Sequence, residues 1–541
     1  MSLPAGFTVR IHDDVRTADQ GRALIGGSPL RVVRLSPRAQ PLIGNGEIRV
    51  NGAASAILAD RLLDANIAIP VLRSGDRAEA TELTVIVPAR DRIGPLNKTL
   101  AGLAGLNVIV VDDASKDAAA IAELAKTHAA HIIRLDQNVG PAAARNAGLA
   151  RVRTPFVAFV DSDVRVTTGT LLSLTSHFAD PRVALVAPHV RGQSVNARPR
   201  WFERYEETSP SLGLGERPGV VRPGAAVAWL PSACLVGRTE RLVAIGGFDE
   251  RMRVGEDVDL VWRLAAAGER VRYDPAHEAR HDARPTLRAW MGRKFVYGTG
   301  GAALAERHPG KLVTASFSPV MGVAALALLM RRPWSVPVAL AATARGAQVL
   351  LRALPRGTEP AEAERTGTER TGTERTGTER TGTARTSTER TSTERRRLAV
   401  RLSARGLGWA VRQESALVLR HWWPAVFGAA VVSRRARRVI VSAMVVDLLV
   451  GTGEAGWRKP FSTFAGRRLD DVAYGAGLWW GALRSGSLSC LGLRVPGDGR
   501  SRSQSCRQDS EPAKVAKRVR LGGNVQFQTA SRSPHGSGEG A

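Results

Sequence analysis

Between residues 83 and 163, short apolar runs alternate with stretches of helical spacing. The runs are "LTVIVPA" (83–89), "LNVIVVDDAS" (106–115), "AHIIRLD" (130–136) and "PFVAFVDSD" (155–163). Each is too short and too β-rich for a helix. Between them lie "KDAAAIAELAKTHA" and "AAARNAGLARV", which repeat on a helical period. Strand–helix alternation predicts an α/β fold with a doubly wound, largely parallel sheet and helices on both faces. Ligands of such sheets bind beyond the carboxyl ends of the strands. Here those ends carry acids: Asp112 and Asp113, then Asp161 and Asp163.

The flanking pattern divides the rest of the chain. Residues 1–78 read as a small α+β module, with Ala56, Leu58, Ala59, Leu62 and Leu63 on one helical face, and "RSGDRAEATE" (73–82) as a polar linker. The α/β domain is expected over 83–310. Residues 311–356 are apolar and helical, in two runs that flank Arg331 and Arg332, and each is short or interrupted for a span of about 20 residues. A five-residue repeat, variants of "RTGTE", occupies 365–395 of the segment 357–395. It offers no apolar face to offset its ordering entropy, so a disordered linker is expected there. A second helical region is expected over 396–486, and a basic disordered tail over 487–541.

Composition adds three constraints. Hydrophobic residues make up 43% of the 541 positions, enough for a large core, and the length exceeds one domain. The net charge of +27 comes mostly from arginines that are spread rather than interleaved with aromatics on one face. That argues against nucleic acid and leaves a solvated surface or peripheral contact with an anionic membrane. Cys234, Cys490 and Cys506 make neither a disulfide framework nor a metal spacing. The first residues carry early charges and no continuous apolar run, so the expected compartment is cytoplasmic, with the inner face of the plasma membrane as the alternative.

Several residues stand where chemistry would need them. Residues i and i+2 of a strand project to one side, so Asp161 and Asp163 would repel unless a cation sits beside them. Carboxylate oxygens suit Mg²⁺ or Mn²⁺; a helix cap at Ser162 or Asp163 is the plainer alternative. Asp112 and Asp113 could bond a nucleotide, or Ser115 could simply start the next helix. Asn138 and Gly140 form a turn ahead of Arg145, which would face the strand-end crevice. Gly246 and Gly247 allow a close backbone turn. Glu256, Asp257 and Asp259 open a helix whose dipole would help keep Asp257 ionised, as a carboxylate base requires. His277 and His281 are four apart, but Pro275 predicts a loop.

Taken in order, these motifs resemble the family 2 inverting glycosyltransferases of GT-A fold, over roughly residues 83–300: strand–Pro–Ala, Asp–Asp–x–Ser, Asn–x–Gly–x4–Arg–Asn–x–Gly, Asp–Ser–Asp, Gly–Gly–Phe–Asp–Glu, Glu–Asp–x–Asp–Leu, then His. The resemblance implies a Rossmann-like mixed sheet. It implies that Pro88, Ala89 and Arg90 line the nucleotide pocket and that Asp112 or Asp113 holds uracil. Arg145 would contact the nucleotide, and Asp161 the ribose or the metal. Asp163 would ligate Mg²⁺ or Mn²⁺, which His281 could complete. Asp257 would be the general base, and Gly247, Asp249 and Glu256 would meet the donor and acceptor sugars. The Gln-x-x-Arg-Trp motif of processive hexosyl synthases is absent.

"RKFVYGTGGAALAERHPGKL" (293–312) and "LDDVAYGAGLWWGAL" (469–483) narrow the resemblance to the mycofactocin-system glycosyltransferases. The first 78 residues are similar to PqqD-like peptide-binding domains. The implied reaction moves glucose from a UDP-sugar onto a peptide-derived cofactor precursor, in β-linked units. Two other readings stay open: a family 2 enzyme acting on a lipid carrier or cell-surface glycan, and a non-catalytic sugar-nucleotide or peptide-binding protein.

Overall fold

A computed structural model describes residues 2–18, 21–312, 315, 317–353, 379–455 and 460–492. The N-terminal module has strands β1 (Thr8–Ile11), β2 (Arg16–Ala18), β3 (Ala23–Gly26), β4 (Arg31–Arg34), β5 (Glu47–Arg49) and β6 (Ala68–Pro70), with helix α1 (Ala53–Asp64). Two three-stranded sheets, β5-β1-β6 and β2-β3-β4, share one core. Helix α1 buries Ala56, Leu58, Ala59, Leu62 and Leu63, the face its spacing predicts.

The central domain is a nine-stranded sheet. Its strands are β7 (Leu83–Ala89), β8 (Asn107–Asp113), β9 (His131–Leu135), β10 (Phe156–Val160), β11 (Val164–Arg165), β12 (Val183–Gln193), β13 (Gly219–Val220), β14 (Cys234–Arg238) and β15 (Arg270–Asp282). The order is β11-β15-β12-β14-β10-β7-β8-β9, with β13 beside β15. Strands β10, β7, β8 and β9 run parallel, and β14 is antiparallel to both neighbours. The sheet is therefore mixed, as expected of the GT-A fold. Its helices are α2 (Ile93–Ala101), α3 (Ala118–Thr127), α4 (Pro141–Leu149), α5 (Thr168–Thr175), α6 (Trp201–Thr208), α7 (Thr239–Ala244) and α8 (Glu256–Ala266). One apolar cluster lies on each face of the sheet. Because β8 and β9 are added on one side of β7 and β10 on the other, strand order reverses between β7 and β10. A crevice opens beyond the carboxyl ends of strands at such a point.

Helices α9 (Leu287–Arg307), α10 (Pro319–Met330), α11 (Ser335–Ala353), α12 (Glu379–Ala416), α13 (Trp423–Val432), α14 (Arg434–Ala455) and α15 (Pro460–Ser485) follow. Helices α9 and α15 approach closely through glycines. A Cβ on Gly298 would meet the Tyr474 carbonyl, and one on Gly477 the Phe295 carbonyl. Repeat residues 357–378 and tail residues 493–541 lie outside the described residues.

Four expectations change. The repeat is helical from Glu379, where α12 begins. The tail is ordered as far as Cys490 and Leu491, which pack beside Leu478 and Ala302. The Pro275 segment is not a loop. Strand β15 runs through it with a bulge, pairing Asp274 with Pro188 and then Glu278 with His189, so the missing proline N–H falls where no ladder bond is needed. Finally, α3 begins at Ala118, capped by Asp117 rather than Ser115.

The module is fastened to the sheet by polar groups. Asn66 is buried; its Nδ2 donates to the Val220 carbonyl at 3.0 Å and its Oδ1 accepts from the Val220 N–H at 2.5 Å. Arg270 is fully buried and pairs with Asp60 and Asp64 of α1 as well as with Asp180. This seats the β3–β4 turn, Ser28–Leu30, beside the strand-end crevice.

Candidate active site

A cavity of about 1370 Å³ fills that crevice. Pro88, Arg90, Asp113, Arg145, Asp161, Asp163, Glu256 and Asp257 all line it. So do Ser28–Leu30 of the N-terminal module, and Trp409, Arg420 and Tyr474 of the C-terminal helices.

The carboxyl end of β10 builds its centre. The strand stops at Val160, and the next residues turn, with the Val164 N–H bonded to the Asp161 carbonyl at 3.0 Å. Strand spacing therefore does not apply to Asp161 and Asp163, and the two acids have separate partners. Asp161 accepts from Arg145 Nη2 at 2.6 Å. Asp163 is buried; its Oδ2 meets Arg92 and, at 3.4 Å, Arg284, while its Oδ1 lies 3.6 Å from His281 Nε2. Burial alone would raise the Asp163 pKa. His281, Arg92 and Arg284 outweigh it and hold the carboxyl below its ordinary range. Val164 and His281 are register partners in the β11–β15 pair, which is why the histidine arrives beside the acid.

Asp163 and His281 thus offer one hard oxygen and one imidazole nitrogen at a spacing that a single divalent cation can bridge. Among the described residues no cluster of three or more such donors occurs. Mg²⁺ and Mn²⁺ commonly take part of their shell from substrate phosphates, so the donor set fits a cation held jointly with a diphosphate.

Arg145 is the hub of the opposite wall of the cavity. It is 2% exposed and bonds both Asp161 and, at 3.1 Å, Glu256. Burial opposes its charge, but the two carboxylates more than restore it and its pKa is raised. Asp113 accepts from the N–H groups of Val139 and Gly140, at 2.8 and 3.0 Å, and so pins the turn that opens α4. Asp112 points elsewhere. It is fully buried, accepts from the Ser115 N–H at 2.9 Å and pairs with Arg134. Of the two acids, Asp113 alone lines the cavity; Ala89 is buried behind Pro88 and does not.

Asp257 sits in the first turn of α8, after Gly255 in the left-handed conformation (φ 86°). Its Oδ1 accepts from the Val258 N–H at 2.8 Å and its Oδ2 from the Ser232 N–H at 3.2 Å. Burial, and next the Glu256 carboxylate, push its pKa up to about 7 against those two bonds and Arg145. The expected stabilisation of its charge by the helix terminus is thus outweighed by desolvation. A carboxylate poised near neutrality is suited to take a proton in one step and release it afterwards.

Gly247 and Asp249 stand away from the cavity lining. Gly247 adopts φ 62° against the Asn146 side chain, and Asp249 pairs with Arg251 and Arg307. Both fasten the Gly–Gly–Phe–Asp–Glu turn to α4 and α9. Conversely, Arg92, Arg284, Arg293 and Tyr297 line the cavity and were not read from the sequence as site residues. Nothing local marks Arg92 or Arg284. Arg293 and Tyr297 lie in "RKFVYG", where i, i+4 spacing on a helix was the available signal, and Arg293 stacks 4.8 Å from the Tyr297 ring centre.

The chain is similar to several known proteins. Residues 84–225 match the family model for glycosyl transferase family 2, and residues 156–353 that for glycosyl transferase family group 2. The "Pre-mycofactocin glycosyltransferase" of Mycobacterium tuberculosis (strain ATCC 25618 / H37Rv) is 39% identical over 498 residues, covering 90% of this chain and 98% of that protein. The succinoglycan biosynthesis protein ExoU of Rhizobium meliloti is 28% identical over 36% of this chain and 60% of its own length. Among solved structures, a Pyrobaculum calidifontis mannosyltransferase in complex with GDP-Man and Mn²⁺ is 17% identical, with a TM-score of 0.37 over 74% of this chain and 87% of that one. S. aureus TarS in complex with UDP is 22% identical, with a TM-score of 0.29 over 42% and 70%.

The matched families and the cavity beyond a GT-A sheet define the class, a glycosyltransferase. Within that class the chain belongs to the pre-mycofactocin glycosyltransferase family, alongside the mycobacterial proteins it matches along nearly their whole length.

Proposed function

We propose that this chain transfers glucose from UDP-glucose, with inversion, onto the peptide-derived redox cofactor precursor premycofactocin, and extends it as a β-linked oligoglucoside. The acceptor is supported by the mycobacterial relatives, whose name specifies pre-mycofactocin and 98% of whose length this chain matches. The observation that carries the chemistry is one cavity lined by both Asp163, held ionised, and Asp257, held near neutrality.

Asp257 takes the proton of the acceptor hydroxyl as that oxygen attacks the anomeric carbon. The bond from that carbon to the diphosphate breaks in the same displacement, so configuration inverts. Asp113 and the Asn138–Gly140 turn position the base and ribose, while Arg145 holds Asp161 and Glu256 in place. Arg92, Arg284 and Arg293 bring three guanidinium groups to the leaving diphosphate. Asp163 and His281 would hold Mg²⁺ or Mn²⁺, and when bound the cation supplies Lewis-acid stabilisation of that diphosphate.

The test is a paired incubation of the purified chain and UDP-glucose with premycofactocin or with a polyprenyl phosphate. Mass gain of one or more hexoses on premycofactocin is expected. A hexose appearing only on the lipid would replace this reading with the lipid-carrier one.

A further inference from the structure

The C-terminal helices turn their inner faces onto small apolar clusters and leave outer faces uncovered. Helix α14 buries Val439, Ile440 and Ala443 against Val418, Leu419 and Leu329. Its opposite side exposes Val441 and Val445, four residues apart and hence on one stripe. The end of α13 is barer still: Val431 is 79% exposed and Val432 is 87% exposed. Immediately beyond stand Arg434, Arg435, Arg437 and Arg438, all exposed. Arg437 folds back to donate to the Ala430 and Val431 carbonyls, at 2.7 and 3.2 Å, which fixes the corner. Among the described residues no carboxylate pairs with Arg434, Arg435 or Arg438.

Two adjacent bare valines rimmed by unpaired arginines form an apolar tip with a cationic collar. A second copy of this chain is a poor cover, because an isologous contact would set arginine against arginine. Anionic headgroups answer the collar and the acyl boundary answers the tip. No single described helix is long and apolar enough to cross a bilayer. The segment Arg395–His421, which is the end of α12 with the turn after it, and α13 qualify only as a pair bent by 87°. The geometry is that of a surface contact.

We propose that the α13–α14 corner docks the protein onto an anionic membrane surface, with Val431 and Val432 at the acyl boundary and Arg434, Arg435 and Arg438 on the headgroups. The inference stands whichever acceptor is used.

Co-sedimentation of the full chain with vesicles tests it. Binding is expected to phosphatidylcholine vesicles containing phosphatidylglycerol, not to phosphatidylcholine alone, and it should weaken with added salt. Arg434→Gln with Arg435→Gln should weaken binding on the order of fivefold for each arginine. Val431→Glu with Val432→Glu should abolish it, with thermal midpoint and soluble transfer unchanged. Absent binding, equal binding to neutral vesicles, or full binding by both variants overturns the proposal. So does a wild-type dimer by light scattering that Val431→Glu with Val432→Glu makes monomeric, which would assign the corner to a second copy.

Discussion

Asp257 and its neighbour Glu256 are adjacent carboxylates with opposite assignments. Glu256 is ion-paired with Arg145, whereas Asp257 has two backbone N–H groups and no direct cation, so burial dominates its titration. A base must be deprotonated to act. The logarithm of kcat/KM should therefore climb with unit slope below about pH 7 and level off above it. Glu256→Gln removes the second-largest cause of the raised pKa and should move that limb to lower pH, measured as a shifted midpoint. Because folding raises this carboxyl's pKa, the native state binds the extra proton. Stability from this group is therefore present at low pH and lost as pH rises through about 7. Asp257→Asn removes that cost and should leave the thermal midpoint at pH 8 equal to or above wild type. Arg145 is different: its loss strands Asp161 and Glu256 beside each other, and Arg145→Ala should cost about 3 kcal/mol, measured by urea denaturation.

At the scale of elements, the strand-end acids were legible because each apolar run stops on them, and a parallel sheet makes strand ends meaningful. Their division of labour was not. Whether Asp112 or Asp113 reaches the cavity depends on which way β8 leaves the sheet, and Arg134, on the neighbouring strand, claims Asp112. The turn that separates Asp161 from Asp163 is likewise set beside the antiparallel β14, where the carbonyl of Ala233, the residue before that strand, takes the Asp161 N–H. Helix α9 carries Arg293 and Tyr297 into the cavity, and its position rests on α15. In Gly477→Ala the new Cβ would collide with the Phe295 carbonyl oxygen, a backbone atom that cannot yield by a rotamer change. The helices must part, so this variant should lower the thermal midpoint and weaken UDP-sugar binding together, read by calorimetry of each.

Across the whole molecule, three regions meet at one cavity, and this long-range convergence had no local signature. The buried Asn66 and Arg270 contacts hold the module where the Ser28–Leu30 turn forms part of the wall. Leu30 is exposed there, and in the proposed reaction this wall meets the acceptor. Leu30→Asp should therefore raise KM for the acceptor several-fold while the Kd for UDP-glucose stays within twofold, separated by steady-state kinetics and calorimetry.

The central claim is that Asp257 activates the acceptor for an inverting displacement. Single-turnover transfer from UDP-glucose by wild type and Asp257→Asn, with nuclear magnetic resonance of the product's anomeric centre, tests it most directly. The account predicts a β-linked product from wild type and at least about a hundredfold slower transfer by the variant, at undiminished UDP-glucose affinity. Transfer by Asp257→Asn at near wild-type rate, or an α-linked product, would contradict it.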